Sequence, residues 1–284
     1  MKTRLIVVLL GFLGSGMFVA CRDDASDKDD DRPGKAVELA FQAKYPGATG
    51  VEWESKGVFR EADFTLNGRE YEAWFNTSGI WLQAEYAVTY TSVPAAIKDF
   101  IANSIDYPPT LWTPDAATEV LERKNYPDWY AVELENGANE VTIWADAEAY
   151  LHRAVVEDYS GNDIPRTILT FVTQNYRQAL LTEVGKWSDG AYQANMLDGN
   201  EAKQIYFDRS MNWQYTEWPV LFSEVPAVVK EVLNSTAYEN YTVRSVDYRQ
   251  FPQGDRYHFV LTPKQQPGLD MALDIDLQGN IITQ

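Results

Sequence analysis

LNGREYEAWFNTSGIWLQAEY, residues 66–86, and LDGNEAKQIYFDRSMNWQYTEW, residues 197–218, are two versions of one pattern. With one residue added in the second, Asn67-Gly68 aligns with Asp198-Gly199, Phe75 with Phe207, Trp81 with Trp213 and Glu85 with Glu217. Further on, Val93-Pro94-Ala95 aligns with Val225-Pro226-Ala227. Matches at one offset mark an internal repeat, which has to be found before any element is assigned. Weaker copies lie between and after: Glu135-Asn136-Gly137, Trp144, Tyr150 and Ile164-Pro165 form one, and Ile275, Gly279-Asn280 and Ile281 end another. The unit is about 65 residues long and occurs about four times.

Each unit opens with a short one-sided apolar segment, at residues 35–45, 94–103, 165–175 and 226–234. Three of the four begin with proline, which suits a first helical turn because that position needs no backbone donor. Alternating segments follow, such as 61–66 and 69–76 around Asn67-Gly68, and an Asn-Gly pair supplies the positive-φ positions of a tight hairpin. Asn136-Gly137 and Asp198-Gly199 repeat that turn chemistry. The expected fold is α+β: tandem repeats of a helix packed on a four-stranded antiparallel sheet, four units in two larger halves, 35–160 and 161–284.

The run Phe41-Gln42-Ala43-Lys44-Tyr45-Pro46-Gly47-Ala48, then Val51-Glu52-Trp53-Glu54, then Leu66-Asn67-Gly68 with Tyr71-Glu72-Ala73-Trp74-Phe75, Gly79, Trp81 and Val93-Pro94, resembles the PepSY-like repeats of exported bacterial proteins. The resemblance implies a fold similar to the beta-lactamase inhibitory protein over residues 35–284. It does not imply inhibition of a beta-lactamase, which depends on loop residues outside the repeat pattern.

Ahead of the repeats, Lys2 and Arg4, an apolar core at 5–13 and small residues at 14–20 make the three parts of a secretory signal, residues 1–20. The apolar run is too short to span a bilayer. Cys21 is the only cysteine, so it has no intrachain disulfide partner. Phe18-Val19-Ala20-Cys21 resembles a bacterial lipobox, which makes Cys21 a lipidation site, although leucine is commoner where Phe18 stands. Residues 21–34 form an acidic tether with six aspartates and no large apolar side chain, too poor in burial to offset its ordering entropy. Lys28-Asp29-Asp30-Asp31 resembles the acidic export tag of Bacteroidetes-type lipoproteins. The expected address is the outer membrane, surface-exposed, with a periplasm-facing anchor as the alternative.

A net charge of −18 repels phosphate and argues against a nucleic-acid partner. The two histidines, His152 and His258, lie in strand-like segments without ligand-spaced neighbours, and no phosphate-binding glycine loop or nucleophile motif appears, so no catalytic residue, metal or cofactor is expected. Asp274, Asp276 and Gly279 imitate the start of a calcium loop, but Gln278 breaks it and the twelfth position falls beyond Gln284. A strand with Leu273, Ile275 and Leu277 inward and both aspartates in water is the simpler expectation. Trp53, Trp74, Trp81, Trp144 and Trp213 recur with the repeat and are read as packing. Trp112, Trp129, Trp187 and Trp218 do not, and are candidates for a binding surface. The expected function is therefore a non-catalytic envelope lipoprotein that presents a sheet surface to a protein partner, with enzyme inhibition as one form of that. The alternative is a glycan-binding module that uses Trp and Tyr platforms.

Overall fold

The computed structural model describes residues 32–150, 152–265 and 269–282. The signal, Cys21 and the acidic tether up to residue 31 lie outside the described residues.

The first unit consists of α1 (Lys35–Lys44), β1 (Thr49–Lys56), β2 (Phe59–Leu66), β3 (Arg69–Asn76) and β4 (Trp81–Thr89). The second has α2 (Ala95–Ala102), a two-residue β5 (Thr113–Pro114), then β6 (Ala117–Arg123), β7 (Trp129–Asn136), β8 (Asn139–Asp146) and β9 (His152–Tyr159). The third has α3 (Arg166–Asn175), β10 (Leu180–Trp187), β11 (Tyr192–Asp198), β12 (Glu201–Phe207) and β13 (Trp213–Pro219). The fourth has α4 (Ala227–Leu233), β14 (Tyr241–Gln250), β15 (Arg256–Pro263), β16 (Met271–Asp276) and β17 (Ile281–Ile282).

The expectation of separate helix-on-four-strand units in an α+β array is corrected. All 17 strands form one antiparallel sheet, and 49% of the described residues are strand against 18% helix. The cause is edge pairing. A four-stranded sheet would leave two rows of unpaired N–H and C=O groups, and each unit border satisfies them instead. β4 pairs with β6 from Gln83↔Arg123 to Thr89↔Ala117, β9 pairs with β10, and β13 pairs with β14 from Thr216↔Gln250 to Pro219↔Asp247. Through the β9–β10 pairing the sheet continues across residues 160 and 161.

Local chemistry sets the frame of each element. Pro94, Pro165 and Pro226 stand one residue before α2, α3 and α4, with ψ of 142°, 127° and 146°. They act as extended caps rather than as first helical residues. At the first hairpin both Asn67 and Gly68 have positive φ, 54° and 77°, as a type I′ turn demands. The other two are one residue out of that frame: the closing pairs are Asn136↔Asn139 and Asp198↔Glu201, and only Gly137 and Gly199 have positive φ. Glycine at the first central position with an ordinary residue after it is the type II′ solution.

The helices cover one face, each over its own apolar cluster. Val37 and Phe41 meet Phe64 and Phe75, Ile97 and Ile101 meet Val132 and Ile143, Ile168 and Val172 meet Met196 and Ile205, and Val229 meets Phe259 and Ile275. The other face is helix-free, and the sheet curls until this face meets itself. Phe59, Trp74 and Leu82 of the first unit pack against Leu197 and Ala202 of the third. Asn76 clasps the tip of the β11–β12 hairpin, donating from Nδ2 to Asn200 Oδ1 at 2.7 Å and Gly199 O at 3.3 Å. Lys124 Nζ adds bonds to Asn200 O at 2.7 Å and Glu201 Oε1 at 2.8 Å.

Candidate functional site

Strand alternation sends every second residue to the helix-free inner face, and in the first two units those residues are largely acids. Directly paired neighbours across β1 to β4 are Glu52↔Asp63, Asp63↔Glu72 and Glu72↔Glu85. Like charges placed opposite each other are unfavourable, and among the described residues Lys56, at 3.5 Å from Glu61, is the cation that joins this set. From β4 the band opens into a cleft of about 540 Å³. Its walls carry Glu85 from β4, Glu119 from β6, Glu133 and Glu140 from β7 and β8, and Glu183 from β10. Glu157, Asp158 and Asp163 complete eight carboxyl side chains, and among the described residues no lysine, arginine or histidine lines the cleft. Lys186 reaches Glu157 from the rim at 2.7 Å.

Burial and mutual repulsion raise the pKa of several of these groups. Burial first, then Asp158 and Glu119, push Glu183 up to about 8. Burial, with Glu140 and Asp115, lifts Glu133 to about 7. Burial raises both Glu85 and Glu119, whose adjacent carboxyls share hydrogen bonding. Beside the cleft, burial together with Glu61 and Asp63 raises Glu72 to about 8. A cation entering would reverse this, because positive charge favours the ionised form. Two trios, Glu61-Asp63-Glu72 and Glu133-Glu135-Glu140, bring carboxylate oxygens within 4.8 Å of one another, the oxygen chemistry that hard divalent ions take. Lys56 already answers part of the first trio's charge.

Behind the cleft, and sharing Trp144, Val155 and Glu183 with it, is a second cavity of about 10 Å³ walled by Arg123, Arg153, Trp129 and Trp187. Arg123 is 3% exposed and stacks on Tyr126 at 3.9 Å. Arg153 lies over Trp129 at 4.4 Å and Trp187 at 5.4 Å.

The four tryptophans singled out from sequence do not form one exposed patch. Trp129 is buried, and half-buried Trp187 stands beside it in the inner cavity. Trp112 packs in the second helix-side cluster, edge-on to Tyr107. Trp218 rests on Tyr248 with Lys203 over its ring at 4.2 Å. His152 is exposed beside Phe100, and His258 Nδ1 meets Asp274 Oδ1 at 2.6 Å. Asp274 is therefore buried on the inner face, tied also to Arg256 at 3.2 Å, and not in water as expected. Asp276 spends its carboxylate on its own turn, accepting from the amides of Gln278 and Asn280 and from Asn280 Nδ2, which leaves nothing of the calcium-loop resemblance. Sequence reading missed the acidic band. Its only signal was glutamate at alternate strand positions in neighbouring segments, which looks like an ordinary wet face until the sheet curls over it.

The fold is a curled antiparallel sheet backed by helices and built from duplicated units, and the comparisons with known proteins name the family. The chain belongs to the beta-lactamase-inhibitor-like, PepSY-like family, which matches residues 59–153 and 190–283, more than half of its length. No curated protein matches it. Among solved structures it is similar to a BLIP-like protein of Bacteroides fragilis, at 29% identity and a TM-score of 0.39, over 49% of this chain and 99% of that one. It is also similar to a DUF2874 family protein of Bacteroides uniformis, at 22% identity and a TM-score of 0.38, over 45% and 94%.

Proposed function

We propose that this protein is a non-catalytic binding protein of the bacterial envelope, anchored through a lipid on Cys21, whose helix-free sheet face engages a protein partner by admitting a basic segment to the acidic cleft. The observation that carries this reading is the cleft itself: eight carboxyl side chains and, among the described residues, no basic one on its walls, in a space of about 540 Å³, large enough for several side chains. Field lines from such a low-dielectric, single-sign cleft concentrate cations and speed their arrival. Blocking an enzyme would be one result of such binding. Membership of an inhibitor-like family supports the non-catalytic part of the reading.

The test is calorimetric titration of the mature chain with deca-lysine and, in parallel, deca-glutamate. Deca-lysine is expected to bind with an affinity that falls steeply with salt and rises from pH 5 to pH 8, because entry of the cation displaces protons from Glu133, Glu183 and Glu85. Glu119→Gln with Glu133→Gln should weaken it about tenfold or more. Absence of heat with deca-lysine, or equal binding of deca-glutamate, would reject the cleft as a cation site. For the anchor, the Cys21→Ser chain should lose detergent-phase partitioning, and unchanged partitioning would remove the lipid from the proposal.

A further inference from the structure

We propose that the small cavity between Arg123, Trp129 and Trp187 is an anion site for one monoatomic halide, distinct from the acidic cleft. Its volume of about 10 Å³ suits a single atom-sized guest. The polar groups on its walls call for an acceptor: Arg123 Nε, Trp129 Nε1 and Trp187 Nε1 are all buried N–H donors with no hydrogen-bond partner. Arg123 and Trp129 are 3% and 5% exposed, so solvent cannot serve them. The one orphan acceptor on these walls is Gln193 Oε1.

Charge decides between an ion and a water molecule. Arg123 Nη1 meets Asn195 Oδ1 at 3.4 Å, and both its terminal nitrogens meet the Gln204 oxygen at 2.8 Å in the orientation that satisfies both ends of that carboxamide, so its near hydrogen-bond partners are neutral amides. Glu183 is the acid on the cavity wall; burial and the acids of the neighbouring cleft push it up to about 8 against the pull of the two arginines. A buried guanidinium whose hydrogen bonds go to neutral amides is costly. A water molecule accepts two hydrogen bonds and has to place two protons of its own, with Gln193 Oε1 the orphan acceptor to take one of them, whereas a halide can accept from all three donors and balances the guanidinium charge.

The test uses the mature chain. Crystals soaked in sodium bromide are expected to show a bromine anomalous peak in the cavity, within hydrogen-bond reach of Arg123 Nε and both indole nitrogens. In solution, thermal midpoints in sodium chloride should exceed those in sodium gluconate at equal ionic strength and should saturate with chloride. Trp187→Phe keeps the ring and deletes one donor, and should weaken apparent chloride affinity about tenfold. No bromine peak together with equal midpoints in the two salts would overturn the proposal in favour of a bound water. A chloride response unaltered by Trp187→Phe would overturn the assignment of the donors. Should that variant not fold, Trp129→Phe and the wild-type crystal provide the same decision.

Discussion

Counting outward from the closing pairs Leu66↔Arg69 and Asp198↔Glu201, residues Glu61, Asp63 and Glu72 of the first half occupy the positions of Gln193, Asn195 and Gln204 in the second. Each exchange replaces a carboxyl group by the amide of the same shape. In the second half the amides close a network, with Gln193 Nε2 donating to Asn195 Oδ1 at 2.8 Å, and nearby charges are matched: Arg249 with Glu217, and Arg256 with Asp274, which also meets the His258 ring. In the first half the same backbone places acid against acid. A buried amide can donate and accept at once, whereas an ionised carboxylate only accepts. The second half's inner face is built to be sealed, and the first half's stores repulsion that a positive ligand could relieve.

The largest test of this contrast is to graft one face onto the other. Glu61→Gln, Asp63→Asn and Glu72→Gln together should raise stability by about 2–3 kcal/mol at pH 8 and change it little at pH 5, after allowance for solvent screening. The sign follows from the raised folded-state values. Glu72 and Glu183 at about 8 and Glu133 at about 7 bind protons in the folded chain that the unfolded chain releases near its ordinary carboxylate range. Their stabilising effect is full at low pH and is lost as pH rises through about 7 to 8. The parent should therefore weaken from pH 5 to pH 8.5 in urea titrations, and the graft should weaken less. A graft with the parent's pH slope would dissolve the contrast. Glu183 on β10, and Asp247, raised to about 7 by burial and Glu217, give the second half its own share of the same slope.

Next in size is the clasp. Asn76 and Asp208 hold equivalent positions, and both accept two turn amides, from Ser78 and Ile80 and from Ser210 and Asn212. Asn76 alone also reaches across to Gly199 and Asn200, and is 6% exposed, whereas Asp208 faces solvent. Asn76→Ala should cost about 2–3 kcal/mol and Asp208→Ala about 1 kcal/mol by chemical denaturation. Equal losses would mean that the cross-sheet bonds add nothing to the turn.

These comparisons also show what the amino-acid order makes legible. Pro94, Pro165, Pro226 and the Asn67-Gly68 turn act through their own backbone angles, so helices and hairpins could be located within a residue or two. The offset between residues 66–86 and 197–218 revealed the duplication for the same local reason. Pairing of β4 with β6 and of β9 with β10 is set by unsatisfied edges that no single segment displays, and the unbroken sheet was invisible. The inner site was hidden for a further reason. Glu85, Glu119, Glu133 and Glu183 meet only after the sheet curls, and Trp129 and Trp187 looked like surface candidates because their burial depends on that same closure. Asp274 was put in water by strand alternation alone, when the face it points to is interior.

The smallest effect lies in the turn that recurs after the third strand of each unit. Its left-handed position is Gly79 in the first unit and Gly279 in the last, but Ala149 and Met211 in the two between, with φ of 54° and 60°. At Gly79 a Cβ would lie 2.7 Å from the carbonyl oxygen of Ala36 in α1, and at Gly279 it would lie 2.9 Å from that of Val228 in α4, so both turns are pressed against a helix. Ala149 bears a Cβ at a φ that alanine adopts at a cost of about 1 kcal/mol. Ala149→Gly should remove that strain and give back part of the gain as backbone entropy, for a net stabilisation of about 0.5 kcal/mol. Gly79→Ala, in contrast, should destabilise, since backbone oxygen cannot rotate away as a side chain can. If both substitutions moved the thermal midpoint in the same direction, helix proximity would not be what reserves glycine at the first and last units.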